Sequence, residues 1–218
     1  MFQDRTDAGR KLAAMVSRLA KESPVVLALP RGGVPVAYEV AKQLGAPLDV
    51  WIVRKLGAPL QPEYGIGAIG EGGTCYVDWA DAAEAGATRA YVNALVERET
   101  AELQRRMRVY RGTRPRVDVR GRTVLLVDDG IATGRTVRAA LADLRKLSPK
   151  RIVLATPVAA NESLRELEGL ADEVVCVEPT DALFAIGEWY ADFRQTSDEE
   201  VSRLLEASSH VPPGAPAR

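Results

Sequence analysis

Five short apolar runs punctuate the chain: Val25 to Leu29, Leu48 to Val53, Val124 to Val127, Arg151 to Thr156 and Glu173 to Val177. Each has the length and continuity of a strand covered on both faces. Between and around them, apolar residues recur at helical spacing. Asp7 to Leu19 carries Leu12, Met15, Val16 and Leu19 on one face and Arg10, Lys11 and Arg18 opposite, as an amphipathic helix does. Val34 to Leu44, Ala82 to Tyr110, Arg135 to Leu147 and Asn161 to Leu170 read the same way, with Asn161 as an N-cap. A last helix opens at Ser197, with Glu200 in capping-box spacing. This alternation predicts an α/β fold, a doubly wound, five-stranded, mainly parallel sheet with helices on both faces.

Two stretches break the rhythm. Gly57 to Gly73 is rich in Gly and Pro and is expected to be a mobile flap beside a small hairpin ending at Cys75 to Val77. Within it, Gly65-Ile-Gly67-Ala-Ile-Gly70 formally matches a dinucleotide fingerprint, but no strand directly precedes it and no helix follows, so the match is rejected. Beyond Glu178-Pro179, Phe184, Trp189, Tyr190 and Phe193 crowd into ten residues. Such crowding suits either a lid on which a flat heterocycle stacks or the packing of a terminal helix. The expected organisation is one domain over residues 1–207, with a flap and long-helix insertion near 57–115, a hood near 178–207 and a disordered tail over 208–218.

Composition narrows the chemistry. The 218 residues hold 29 Lys and Arg against 30 Asp and Glu, so no global charge bias points to nucleic acid or membrane. Cys75 and Cys176 are unclustered, and His210 is the single histidine, which argues against a zinc site and against histidine acid–base catalysis. Met1-Phe-Gln-Asp-Arg lacks an apolar signal region, and no window approaches a membrane span. A soluble cytoplasmic protein is expected.

The chemistry concentrates in Thr123-Val-Leu-Leu-Val-Asp128-Asp129-Gly130-Ile131-Ala132-Thr133-Gly134-Arg135-Thr136. A strand, a glycine-containing loop and a helix start bring backbone N–H groups and the positive helix end to one spot, which favours an anion. Gly134 permits close approach, and Thr133 and Thr136 add hydroxyl donors. Asp128 and Asp129 would be repelled by a phosphate, so they suit vicinal sugar hydroxyls, a divalent metal or both. A plainer possibility is a buried strand ending in a helix, with Asp129 or Thr133 as its cap.

The Val124 to Thr136 segment resembles the phosphoribosyl pyrophosphate (PRPP) signature of the type I phosphoribosyltransferases. That resemblance implies that Asp128 and Asp129 orient the ribose and steer Mg²⁺, largely indirectly, while Ala132, Thr133, Gly134, Arg135 and Thr136 hold the 5-phosphate. Arg31, Gly32 and Gly33 are similar to the family's pyrophosphate loop, and Arg54 and Lys55 stand where the family has a basic residue on the pyrophosphate. Asp128, Asp129, Lys55 and Arg31 are therefore the expected catalytic set, and Phe184, Trp189 and Tyr190 the candidate base site. Glu63 and Tyr64 are the flap residues expected near bound substrate. The implied reaction moves 5-phosphoribosyl from PRPP to an unidentified nitrogenous base with release of pyrophosphate, in a homodimer, without nucleic acid or membrane partners. The alternative on the same fold is a regulator that senses PRPP or nucleotides and binds nucleic acid or a protein. The basic segment Arg105 to Arg111 keeps that alternative open, and Arg111 or Arg114 could reach a neighbouring subunit's phosphate. Ala132 departs from the 6-oxopurine enzymes, which carry an aspartate there to manage the N7 proton. The acceptor thus stays open.

Overall fold

The structure, a computed structural model, describes residues 1–62 and 64–209. In chain order these form α1 (Arg5–Val16), β1 (Val25–Ala28), α2 (Gly33–Leu44), β2 (Leu48–Val50), β3 (Val53–Gly57), β4 (Gly65–Gly70), β5 (Cys75–Val77), α3 (Trp79–Glu84), α4 (Arg89–Arg111), β6 (Thr123–Val127), α5 (Arg135–Arg145), β7 (Arg151–Ala160), α6 (Asn161–Glu168), β8 (Glu173–Thr180) and α7 (Asp198–Ser209). The main sheet has the order β2-β1-β6-β7-β8, and every pairing in it is parallel.

The strand period of two sorts its apolar residues onto two faces. Val26, Ala28, Leu125, Val127, Val153 and Ala155 join one core with α1, α2 and α7. Val25, Leu27, Val124, Leu126, Ile152 and Leu154 join the other, with Val137, Leu141 and Leu144 of α5 and Leu164 and Leu167 of α6. Both faces are covered, as the continuous apolar runs require.

The region expected to be a mobile flap is a second sheet, antiparallel, in the order β3-β4-β5. Ile66 and Ile69 are buried in the core that also holds Val92 and Leu95 of α4, and this burial converts the Gly-rich stretch into a strand. The run expected as one strand over Leu48 to Val53 is accordingly divided. β2 ends at Val50, buried Trp51 and Ile52 turn the chain, and β3 starts the second sheet. The long helix expected over Ala82 to Tyr110 is likewise split. Gly86 adopts φ 71°, and the Thr88 hydroxyl accepts the Tyr91 N–H at 3.1 Å to cap α4.

Asn161 does not cap α6. Ala160 occupies that position without a side-chain bond, and the Asn161 amide donates to Asp181 at 2.8 Å. Ser197 does act as expected, accepting the Glu200 N–H at 3.2 Å. α7 runs through Ser208 and Ser209, two residues assigned above to the tail; His210 and the remainder, like Glu63, lie outside the described residues. Among the described residues no helix is long and apolar enough to cross a membrane.

A buried ionic network ties the two sheets to the end of α4. The Arg111 Nε donates to both carboxylate oxygens of Asp49 at 2.8 and 3.0 Å, and its two terminal nitrogens reach Glu71 at 2.8 and 2.7 Å. Arg114, which is exposed, donates to the carbonyls of Tyr110 and Leu205. Both arginines that the sequence offered for a neighbouring subunit's phosphate thus have partners within their own chain.

Candidate active site

Two loops leave the carboxyl ends of adjacent strands β1 and β6, where the chain order of the sheet reverses. The loop after β6 is braced from beneath. The Ile131 N–H donates to Val158 O at 2.9 Å, the Ala160 N–H to Ile131 O at 3.0 Å, and Ser163 Oγ to Ala132 O at 2.5 Å. Gly134 caps α5 at φ 66° with no side-chain bond, so among the described residues no side chain caps the first-turn N–H groups of α5. Thr133, Arg135 and Thr136 are exposed around that helix end. The five residues expected to hold a phosphate, Ala132 to Thr136, line this helix start.

The loop after β1 lies directly on the acid pair. A Cβ on Gly32 would stand 2.5 Å from Asp129 Cγ, and one on Gly33 would stand 2.8 Å from Val127 O. Only glycines allow this contact. Arg31 stands at the mouth of the loop, about one-third exposed, with Asp198 of α7 at 3.7 Å.

The two acids differ. Asp129 is buried, and its Oδ2 accepts Arg5 Nε of α1 at 2.7 Å. Asp128 is half-buried, and its Oδ1 accepts the Asp129 N–H at 3.0 Å. Burial, and then the adjacent charge of Asp129, hold the Asp128 carboxyl well above the usual carboxylate range. Among the described residues no three His, Cys, Asp or Glu side chains converge. Two carboxylates, one already engaged by Arg5, suit a Mg²⁺ that keeps its waters and is carried largely on phosphate oxygens.

Arg54 and Lys55 do not act together. They are neighbours on β3, so their side chains leave opposite faces. Arg54, expected on the pyrophosphate, is paired with Glu99 of α4 at 2.6 and 2.8 Å. Lys55 lines a groove of about 430 Å³ between the small sheet and α5, together with Arg135 and Thr136. Tyr64, the described member of the expected flap pair, lies under the Arg135 guanidinium at 5.2 Å.

The aromatic cluster divides similarly. Phe184 is 87% exposed, and Trp189 is half-buried against the cluster of Phe2, Ala8, Val158 and Tyr190. Tyr190 corrects its expected role. Its ring is buried against Phe2 and Phe193, and its hydroxyl donates to Asp129 O at 2.5 Å, so it supports the acid pair and has no face left for a base. Burial pushes that hydroxyl's pKa well up, which keeps it a donor.

Two residues that sequence reasoning missed support this site. Arg5 carried no local signal, since its partner is 124 positions away. Asp143 had a faint one, a charge three residues after Ala140 on the edge of the apolar face of α5. Its fully buried carboxylate accepts the N–H groups of Gly72 at 2.8 Å and Thr74 at 2.9 Å, pinning the β4–β5 turn to α5. Asp143→Ala leaves both amides unpaired, and the expected local destabilisation is about 2 to 4 kcal/mol. Hydrogen exchange will read it as lost protection at residues 70–75 with the main sheet unchanged; equal loss in both sheets would refute a local pin.

An open parallel sheet thus carries, at its strand ends, an exposed helix start with an acid pair beside it. The chain belongs to the phosphoribosyl transferase domain family, whose model matches residues 2–192. It is 46% identical over 206 residues to "Putative phosphoribosyl transferase Rv0571c" of Mycobacterium tuberculosis, an alignment covering 94% of this chain and 46% of that protein. The chain therefore spans about half the length of that relative. The crystal structure of TT1426 from Thermus thermophilus superposes with a TM-score of 0.80 at 43% identity, covering 94% of this chain and 97% of that one. A shorter stretch, 78 residues, is 47% identical to "Bifunctional protein PyrR" of Chloroflexus aurantiacus, covering 32% of this chain and 42% of that protein.

Proposed function

We propose that this chain transfers the 5-phosphoribosyl group of PRPP to a nitrogenous acceptor and releases pyrophosphate. The observation that carries this reading is the convergence of three anion- or sugar-directed features at the ends of β1 and β6: the Arg31-Gly32-Gly33 loop, the acid pair and the Ala132–Thr136 cradle. The N–H groups of the α5 start, with the hydroxyls of Thr133 and Thr136, hold the 5-phosphate as a remote anchor that fixes C1 of the ribose. Asp128 accepts hydrogen bonds from the ribose hydroxyls. Arg31 and Lys55 meet the charge that builds on the departing pyrophosphate as the C1–O bond breaks. Asp128 and Asp129 would hold a hydrated Mg²⁺, which would supply further charge neutralisation for the departing pyrophosphate. The acceptor's nitrogen then forms the new bond to C1 as the C1–O bond to pyrophosphate breaks, and its proton passes to solvent or to the departing pyrophosphate; Phe184 and Trp189 are the residues proposed to meet the acceptor.

Asp128→Asn tests this directly. Loss of the acceptor oxygen is expected to lower PRPP-dependent pyrophosphate release by about a hundredfold or more, read across a panel of purines, pyrimidines and small amines. Stability should not fall. An acid whose folded pKa is raised works against folding as pH rises through that interval, and the neutral amide removes this opposition. Wild-type turnover in Asp128→Asn would refute the assignment. PRPP binding without pyrophosphate release by the wild type on any acceptor would favour a PRPP-sensing role. The basic stretch near Arg105 gives that second role little support, because Arg105 and Arg106 are both paired to Glu102.

A further inference from the structure

We infer that Arg5 of α1 is a positioning residue for PRPP, acting through Asp129; this rests on the phosphoribosyl transfer reading above. The two charged groups are nearly shielded from solvent, with side-chain exposures of 11% and 12% and a separation of 2.7 Å. The bond uses Arg5 Nε and Asp129 Oδ2, so it sets the rotation of the carboxyl group as well as its location. Arg5 is itself held from three directions. Its Nη1 donates to Arg194 O at 2.8 Å, and its guanidinium stacks 4.0 Å from the Phe193 ring centre and 5.9 Å from that of Tyr190. Tyr190 then returns to the same acid by donating to Asp129 O. Asp129 is thus gripped at its side chain by the N-terminal helix and at its backbone by the segment before α7.

This grip separates the duties of the twin acids. The glycine loop lies against the Asp129 carboxyl, close enough that a Cβ on Gly32 would stand 2.5 Å from Asp129 Cγ. Any rotation of that carboxyl would push the Arg31–Gly33 loop away from the ribose side. Arg5 blocks the rotation. The Asp129 side chain therefore transmits the order of α1 and the aromatic cluster to both loops, while Asp128, the less buried of the two acids, is the one proposed to meet the ligand. Helix α1 begins where it does because Asp4 accepts the Asp7 N–H at 2.8 Å, and this cap places Arg5 in the first turn, over the acid pair.

The test is calorimetric titration of PRPP with Mg²⁺ into the full chain and its variants, with thermal melts alongside. Arg5→Gln is expected to weaken PRPP binding by about ten- to a hundredfold, as a misoriented contact does. Arg5→Lys, which keeps the charge but not the Nε donor geometry, should recover part of the loss. The double variant Arg5→Gln/Asp129→Asn should bind no worse than Asp129→Asn, because the two act as one unit. A role in stability alone would lower the melting temperature, leave PRPP affinity intact and make the losses additive; either of those last two results overturns the inference. Should Arg5→Gln fail to fold, Arg5→Lys carries the test alone, with unchanged affinity as the overturning result. A wild-type chain that binds no PRPP overturns the functional reading as well, whereas normal wild-type binding with an indifferent Arg5 overturns only this one.

Discussion

Arg111→Met is expected to remove about 3 to 5 kcal/mol of folding stability, because it strands two carboxylates that the wild-type guanidinium satisfies. The arginine side chain is 5% exposed, Glu71 is not exposed at all and Asp49 is 11% exposed, so water cannot replace the lost partner. Asp49 retains the N–H groups of Val50 and Val117, but Glu71 has no comparable compensation among the described bonds. Burial already pushes the Glu71 carboxyl up in the wild type, against the pull of Arg111. An acid raised in the folded state takes up a proton more readily there than when unfolded. Folding is therefore favoured as pH falls through the interval above its ordinary value and opposed as pH rises through it. Without Arg111 the rise is larger, so the penalty should shrink between pH 7 and pH 5. Urea denaturation at the two values measures both effects. A loss below about 1 kcal/mol, or a penalty indifferent to pH, would show that the network does not hold the sheets together.

Gly32→Ala should reduce PRPP binding and turnover by about a hundredfold while the chain stays folded. The backbone at Gly32, φ −59° and ψ −33°, is ordinary for alanine, so conformational strain is not the cause. The added methyl meets the Asp129 carboxyl, and that group cannot swing aside because Arg5 and the packed loop confine it. Either the Arg31–Gly33 loop lifts or the acid pair turns. Both displace groups proposed to meet the sugar and the pyrophosphate. Overpacking of this kind costs about 1 to 3 kcal/mol, which a thermal melt will register. Gly169→Ala is the matched control: nothing lies within 4 Å of its Cβ and its φ is −78°, so it should be neutral or slightly stabilising. Wild-type PRPP affinity in Gly32→Ala would mean that the contact between loop and acid is dispensable.

The arrangement around Asp128 was legible before any coordinates because its chemistry is local. A run of apolar residues, two acids, a glycine and two hydroxyls occupy consecutive positions, and a strand–loop–helix start needs no distant partner to aim its N–H groups at one anion. The five parallel strands and the helix stripes were legible for the same reason, since burial on two faces leaves a continuous run and burial on one leaves a period. The Gly57 to Gly73 stretch was misread because Gly and Pro signal a loop unless something buries the residues between them. Ile66 and Ile69 are buried by α4, which comes later in the chain.

Sequence by itself determined the sheet, its covering helices and the loop that can cradle a phosphate. Tertiary structure alone decided where the groups around that loop lie: it sent Arg54 to Glu99, set Lys55 along the groove, placed Tyr190 beneath Asp129 and brought Arg5 across 124 positions to the same acid. The physical reason is that an isolated charge reads as surface in a sequence. Its partner is set by which faces of distant elements meet when the cores close, and that information is carried by the packing of apolar residues elsewhere in the chain.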